Sequence, residues 1–421
     1  MQNYVNRPIY LERLRNRRDN GEVKIITGPR RAGKSWLLHR LYRDWLIGDG
    51  VAPDNIVSVS LDLDSLDDAA DLRNPAALKA HLLAKMPDPA QRYYVFLDEV
   101  QEVEGFERIV NALNAKGNVD VYITGSNSRF LSSDINTIFR GRGDEVRIFP
   151  LTFGEFCSRR SEPVGLLWKE YYTYGGMPAL LSQPTEEQKI NYLQRLWSKT
   201  YIDDVAERNG VRNRAALEAL VNALCSAVGS LTNPSRIVHL LQDRQRATID
   251  SATAANYLRF LENAFLFEGA NRYDVKGNKY YDSIKKYYAC DVGLRNARLN
   301  FRQQEPTHLM ENILYNELRV RGFLVDVGVV NTRRMQDGRS VSSQLEIDFI
   351  ATNGRERYYI QSAYAIADDR KREQELQSFR HINDSFRKVI IVGSDIAPYT
   401  DNNGYRYLGL FDYLLGRADF V

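Results

Sequence analysis

Cysteine and histidine are scarce in this chain. Three cysteines, Cys157, Cys225 and Cys290, are spread over 421 residues. So odd and sparse a set supplies neither a disulfide framework nor a zinc ribbon, and it fits a reducing compartment. The five histidines are scattered, and no HExxH occurs, so the zinc-protease helix is excluded. Long apolar runs are missing too. No uncharged stretch reaches the length that a bilayer-crossing helix needs, and the opening MQNYVNRPIY has no apolar signal core. No membrane partner is expected, and the expected location is the cytoplasm. Charge of one sign is not in excess either. A formal net charge of +3 does not make a general polyanion binder. With 43% hydrophobic and 26% charged residues the chain reads as globular rather than disordered. Its length suggests about two or three domains.

What is present starts with GPRRAGKS at 28–35, directly after the apolar run EVKIIT and before KSWLLHRLYRDWLI. A short strand followed by a helix with Leu37, Leu38, Leu41 and Trp45 at helical spacing is the context in which G-x-x-x-x-G-K-[ST] cradles phosphate. Gly28 and Gly33 let the backbone curl so that successive N–H groups converge on phosphate oxygens. The loop Gly28, Pro29, Arg30, Arg31, Ala32, Gly33, Lys34, Ser35, Trp36 is therefore the candidate nucleotide-binding segment. The helix start adds its positive dipole end. Lys34 is placed for the β- and γ-phosphates of ATP, and Ser35 for magnesium.

Hydrolysis needs a carboxylate at the end of a neighbouring strand. YYVFLDE at 93–99 is a continuous apolar run ending in acids, the pattern of a parallel strand buried on both faces. Asp98 is the candidate magnesium ligand and Glu99 the group that polarises the attacking water. A third strand, VDVYITGSNS, ends in Ser126 and Asn127, either of which could read the γ-phosphate or cap the next helix. Arg140 and Arg142 flank a glycine turn, where an arginine could reach a neighbouring subunit's phosphate or simply be solvated.

GPRRAGKS, VFLDEVQ, ITGSNS and GRGDEVRIFPLTFGEF, in this order, resemble a family of prokaryotic AAA-type ATPases. In that family a P-loop domain precedes a winged-helix segment and a C-terminal domain often compared with PD-(D/E)XK nucleases. The resemblance covers nearly the whole chain. It implies the hydrolytic roles already given for Lys34, Ser35, Asp98 and Glu99, a sensor role for Asn127 and a finger role for Arg142. An oligomer is compatible with such a site.

The rest of the chain fits that order. Residues 151–210 read as a helical connector. Within 211–300, RAALEALVNALCSAVG places Leu217, Leu220, Val221 and Leu224 on one face, two further helices follow, and a hairpin turns at Lys276-Gly277-Asn278. Three helices then a hairpin is the winged-helix order. Arg272, Lys276, Lys279, Lys285 and Lys286, interleaved with tyrosines, are candidates for DNA phosphate contacts, or else a solvated face of a module that meets protein partners. From 301 to 421 a helix offers Glu311 or Glu317, a strand ends in Asp348, and the next carries Gln361-Ser362-Ala363. A PD-(D/E)XK nuclease has an acid and a lysine where Gln361 and Ala363 stand. Alanine cannot orient a nucleophilic water or stabilise developing charge. The expected fold is thus α/β: a P-loop NTPase domain with a parallel sheet over 1–150, a winged-helix module, and a degenerate restriction-endonuclease-like domain. The expected function is magnesium-dependent ATP hydrolysis coupled to engagement of DNA or a protein partner. An ATP-gated binding switch and an ATP-regulated DNA nuclease are the alternatives.

Overall fold

Five strands assemble into one parallel sheet in the computed structural model, which describes residues 5–62, 72–125, 139, 141–243, 249–336, 339–365 and 369–420. The strands are β1 (Val23–Thr27), β2 (Ile56–Ser60), β3 (Tyr93–Asp98), β4 (Val119–Thr124) and β5 (Gly143–Arg147), in the spatial order β2-β3-β4-β1-β5. Every pairing among them is parallel. β1, β3 and β4 are buried at each position, which is why their sequences are continuous apolar runs rather than alternating ones. Val95, Leu97, Val121 and Ile123 pack against Leu78 and Leu82 of α3 (Pro75–Ala84) and Val110 and Leu113 of α4 (Phe106–Asn114). Two earlier helices complete this part of the chain, α1 (Pro8–Asn16) and α2. The latter runs through Lys34–Trp36, a π-helical Leu37–Tyr42 and Arg43–Gly48.

The chain divides into two compact units: residues 2–150 with 263–265, and residues 151–262 with 266–421. The second unit begins with short helices, among them α5 (Val164–Tyr174). Then come α6 (Arg214–Ser226), β6 (Leu231–Thr232), α7 (Pro234–Asp243), α8 (Ser251–Asn263), β7 (Phe267–Asp274) and β8 (Lys279–Ala289). β8 pairs antiparallel with both β6 and β7. After α9 (Val292–Arg298) and α10 (Pro306–Val320) come β9 (Leu324–Gln336), β10 (Arg339–Asn353), β11 (Glu356–Ala363), α11 (Asp369–Arg380), β12 (Arg387–Val392), β13 (Tyr399–Thr400) and β14 (Arg406–Gly409).

These strands form a nine-stranded sheet, in the order β13-β14-β12-β11-β10-β9-β7-β8-β6. The hairpin and the C-terminal strands join through a parallel contact of β7 with β9, Arg272–Asp274 against Val327–Val329. One sheet therefore runs across residue 300. α10 covers one face, with Leu309, Ile313, Leu314 and Leu318 buried against Phe349, Ile360 and Val389. α11 covers the other, with Leu376 and Phe379 against Tyr359 and Ala363.

A buried acid organises the start of α9. Asp291 accepts from the Gly176 amide at 2.7 Å and the Leu294 amide at 2.9 Å. A side chain on Gly293 would stand 1.7 Å from the Tyr174 carbonyl oxygen, so only glycine fits there. Burial pushes the Asp291 carboxyl up to about 6, and the amides that it accepts from oppose that rise. Among the described residues no helix is long and apolar enough to cross a membrane.

Candidate nucleotide site

The loop after β1 has the backbone that its glycines foretell. Gly28 has φ +138°, and a Cβ there would meet the Ile148 carbonyl oxygen at 2.2 Å. Arg31 and Gly33 also sit at positive φ, 64° and 97°, and Gly33 is the cap of α2. Alternating left- and right-handed residues turn consecutive N–H groups inward, which is the geometry of an anion nest. Pro29 and Ala32 are buried, Arg30 is half-buried, and Arg31, Ser35 and Trp36 are exposed. Lys34 is buried and donates to the carbonyls of Gly28 at 3.0 Å and Pro29 at 3.1 Å, so its ammonium lies over the loop.

β3 delivers the acids to the same end of the sheet, separated from β1 by β4 alone. Thr124, the last residue of β4, links them. Its hydroxyl donates to Asp98 Oδ1 and accepts from the Glu99 amide, the latter at 3.0 Å. Glu99 has φ +53°, a conformation that costs a non-glycine residue about 1–3 kcal/mol and persists only where the surrounding structure over-determines the backbone. Gln101 donates to Glu99 Oε2. His39, in the π-helical stretch of α2, brings Nε2 to 4.0 Å from Asp98 Oδ2. Burial pushes its imidazole below the ordinary range, and the Asp98 charge opposes that fall. A serine hydroxyl at the helix start and a carboxylate at a strand end are hard oxygen donors, the chemistry magnesium requires.

The structure therefore puts Gly28, Lys34, Ser35, Asp98 and Glu99 at one edge of one sheet. Ser126, Asn127 and Arg140 lie outside the described residues. Arg142 is exposed, and its carbonyl accepts from Val23 at 2.8 Å, which ties the start of β5 to β1. Thr124 and Arg7 were not legible beforehand. Arg7 reads as one more arginine of a basic, solvated segment, yet it is 2% exposed. It donates to the carbonyls of Ala32 at 3.0 Å, Phe149 at 2.8 Å and Pro150 at 3.3 Å. The Pro8 at the first turn of α1 and the Tyr10 ring, 4.4 Å from its guanidinium, fix its place. Arg7→Ala would leave three carbonyls without a charged donor and loosen the loop, so ATP binding should weaken about tenfold by calorimetry. Unaltered affinity would remove Arg7 from the cradle's support.

Residues 20–157 match the family model described as AAA domain, and residues 165–305 match a Domain of unknown function (DUF8612). An uncharacterized protein of Haemophilus influenzae is 34% identical over 419 residues, 98% of each chain. The chain belongs to this AAA-domain family. Its AAA-type P-loop domain binds and hydrolyses ATP in the general manner of such domains, and the sheet described above is that domain's core. A second member, an uncharacterized protein of Methanocaldococcus jannaschii, is 27% identical over 416 residues, 94% of this chain and 85% of that one. Among solved structures, Cdc6p of Pyrobaculum aerophilum shares 12% identity over 75% of this chain and 97% of that one, with a TM-score of 0.29. The Orc1 protein of Aeropyrum pernix shares 12% over 71% and 95%, with a TM-score of 0.30. Those two likenesses are too loose to carry an argument.

In the second unit of this AAA-domain protein, Glu311 comes next to Asp348 and Glu317 does not. Glu311 Oε1 accepts from Tyr288 at 2.7 Å and Lys286 at 2.9 Å. Glu317 instead pairs with Arg321 at 2.8 Å, and burial pushes its carboxyl up. Asp348 stands where β10 slips register against β9, between Ile347 and Ile350, a bulge of the sort that re-aims a side chain. It accepts from the Ser362 amide at 2.8 Å. Burial first, and the Glu311 charge next, push the Asp348 carboxyl well above the carboxylate range. Gln361 is buried and alternates with Tyr359 and Ala363, which puts it on the α11 face of β11, opposite Glu311.

Proposed function

We propose that the chain is a magnesium-dependent ATPase whose turnover governs engagement of a partner. Lys34 and the 28–36 loop grip the triphosphate, Ser35 and Asp98 hold magnesium, and Glu99 orients the attacking water. The observation that carries this is the convergence of the β1 loop and the β3 acids at one sheet edge, with Thr124 bonded to both Asp98 and Glu99. Asn127 keeps its sensor role and Arg142 its finger role as parts of the same proposal. The magnesium supplies charge neutralisation between phosphates when bound. Every other task falls to the chain's own side chains.

The order α6-β6-α7-α8-β7-β8, with β8 between β6 and β7, supports reading 211–300 as a winged helix. The order helix, β9-β10-β11, α11, β12, with Glu311 beside Asp348, supports a nuclease-like C-terminal fold. Ala363 in the lysine position favours binding or assembly over cleavage there. The hairpin has fewer cations to offer DNA than its sequence suggests. Arg272 is buried and donates to Gln344 at 3.0 Å, Lys286 is buried on two glutamates, and Lys276 donates to the Asn331 carbonyl at 3.2 Å. Lys276, exposed despite that bond, Lys279, also exposed, and Lys285, half-buried, remain.

The test is calorimetry and mass measurement on the full chain. Wild type with magnesium should bind ATP, and Lys34→Ala should give no heat. The mass with a non-hydrolysable ATP analogue, with and without DNA, then reads assembly and partner. A complex with DNA that persists as salt rises would point away from phosphate contacts, which weaken steeply with salt. No affinity of the wild type for any nucleoside triphosphate would end the proposal.

A further inference from the structure

The carboxylate pocket of the second unit is already filled by a cation of the chain itself. Lys286, on β8, is 4% exposed, and its Nζ lies 2.9 Å from Glu311 Oε1 and 2.6 Å from Glu346 Oε1. Its charge is also felt by Asp348, which burial and Glu311 drive towards its neutral form. The three acids come from α10 and β10, whereas the lysine comes from the hairpin. β7 meets β9 only over Arg272–Asp274. Beyond that contact, where Ala270 pairs with Lys286, side chains join the hairpin to α10: Lys286 and Tyr288 meet Glu311, Asn312 and Asn316 bond the Ala289 backbone, and Arg319 pairs with Glu268. Tyr288 stacks on Tyr315 of α10 at 4.1 Å between centroids. Opposite, Ser362 is 7% exposed, and its hydroxyl has no hydrogen-bond partner. It alternates with Tyr358 and Ile360, which pack on the α10 face that carries Glu311. The pocket thus has oxygen donors beyond those that the ammonium uses. Among the described residues, however, no group of three or more acids, histidines or cysteines is arranged to hold a metal ion.

We propose that Lys286 is the resident cation of the pocket lined by Glu311, Glu346 and Asp348, and that its ammonium excludes a divalent metal. This rests on the nuclease-like reading only for the expectation that a metal would otherwise sit there. The physical reason is economy of charge. Buried carboxylates need a counter-cation, and a tethered ammonium is held in place by the fold, at a fixed effective concentration that does not depend on the bulk, whereas a free ion must be drawn from water. The arrangement also accounts for the absence of this lysine from the surface available to DNA.

The test is manganese binding to the full-length chain without nucleotide, read by electron paramagnetic resonance. Wild type should show no bound manganese that Asp348→Asn removes. Lys286→Ala should gain one manganese per chain, lost again in Lys286→Ala/Asp348→Asn, and Lys286→Arg should stay closed. Lys286→Gln, whose amide can still donate to Glu311, provides a second opening variant where the alanine fails to fold. Manganese bound by the wild type and released by Asp348→Asn overturns the proposal. So does a folded Lys286→Gln or Lys286→Ala that takes none. Metal-dependent DNA cleavage by the wild type, lost in Asp348→Ala, would overturn both the resident-cation proposal and the degenerate reading. A folded opening variant without metal overturns the resident-cation proposal alone.

Discussion

Glu99→Gln should cut ATP turnover by about 10²–10⁴-fold, the range in which a positioned general base contributes, while ATP affinity stays near that of the wild type. The glutamine keeps the shape and a carbonyl oxygen but cannot take a proton from water. The backbone at Glu99 argues that the carboxylate is the point of the arrangement. The residue is held at φ +53°, its amide donates to Thr124, and the same hydroxyl donates onward to Asp98. A left-handed glutamate is tolerated only where its surroundings over-determine it. Single-turnover kinetics with saturating ATP separate the chemical step from binding. Should the glutamine variant turn over like the wild type, the water-orienting role belongs to another residue, and Glu99 is a turn residue alone.

The largest effect on stability is expected at the other end of β1. Lys24 is fully buried, and its ammonium meets Asp120, Asn20 Oδ1 at 3.0 Å and the Glu22 carbonyl at 2.9 Å. Asp120 also accepts from Tyr122 at 2.7 Å and from the Asp19 amide at 3.0 Å, and Tyr122 meets Tyr42 at 2.6 Å. Lys24→Met keeps most of the volume but leaves the Asp120 charge buried without its cation, which should cost about 3–5 kcal/mol. The double variant Lys24→Met/Asp120→Asn removes the charge as well as the pair and should recover much of that loss, since neutral replacement of a buried pair is often tolerated. Urea titrations give both numbers. Turnover per folded molecule should not change, because this network lies at the strand ends remote from the cradle. A loss below about 1 kcal/mol for the single variant would mean that water reaches Asp120 and that the pair is worth no more than a surface bridge.

The two polar networks differ in how far they could be foreseen. GPRRAGKS and YYVFLDE carry local rules: glycine where the chain must turn left-handed, lysine and serine at a helix start, acids after an apolar run that must be buried on both faces. Such rules act within a few residues and do not depend on the remainder of the fold. Lys24 and Asp120 each look like a polar interruption of a strand, and nothing local says that β1 and β4 will lie side by side in parallel with Lys24 next to Tyr122. Thr124 is hidden in the sequence for a similar reason. The polar strand end drew attention to Ser126 and Asn127, although a hydroxyl two residues earlier bonds both Asp98 and Glu99.

The same division holds in the second unit. Periodicity marks Leu217, Leu220, Val221 and Leu224 as an inward face, and all are buried. The glycine turn at 277 marked the hairpin. The sequence left Glu311 and Glu317 as equal candidates because both lie on one helix with acids to spare. Their surroundings separate them: Arg321 claims one, and Lys286 and Asp348 surround the other.

What the amino-acid order determined by itself, then, is the set of elements and the phosphate-binding loop, because backbone conformation and burial periodicity are properties of neighbouring residues. What only the tertiary structure decided is which charges meet: Arg7 on the loop carbonyls, Thr124 between two acids, and Lys286 among carboxylates from a helix and a strand that follow it. Ion pairs and hydrogen bonds form across space rather than along the chain, and their partners exist only once the strands have chosen their neighbours.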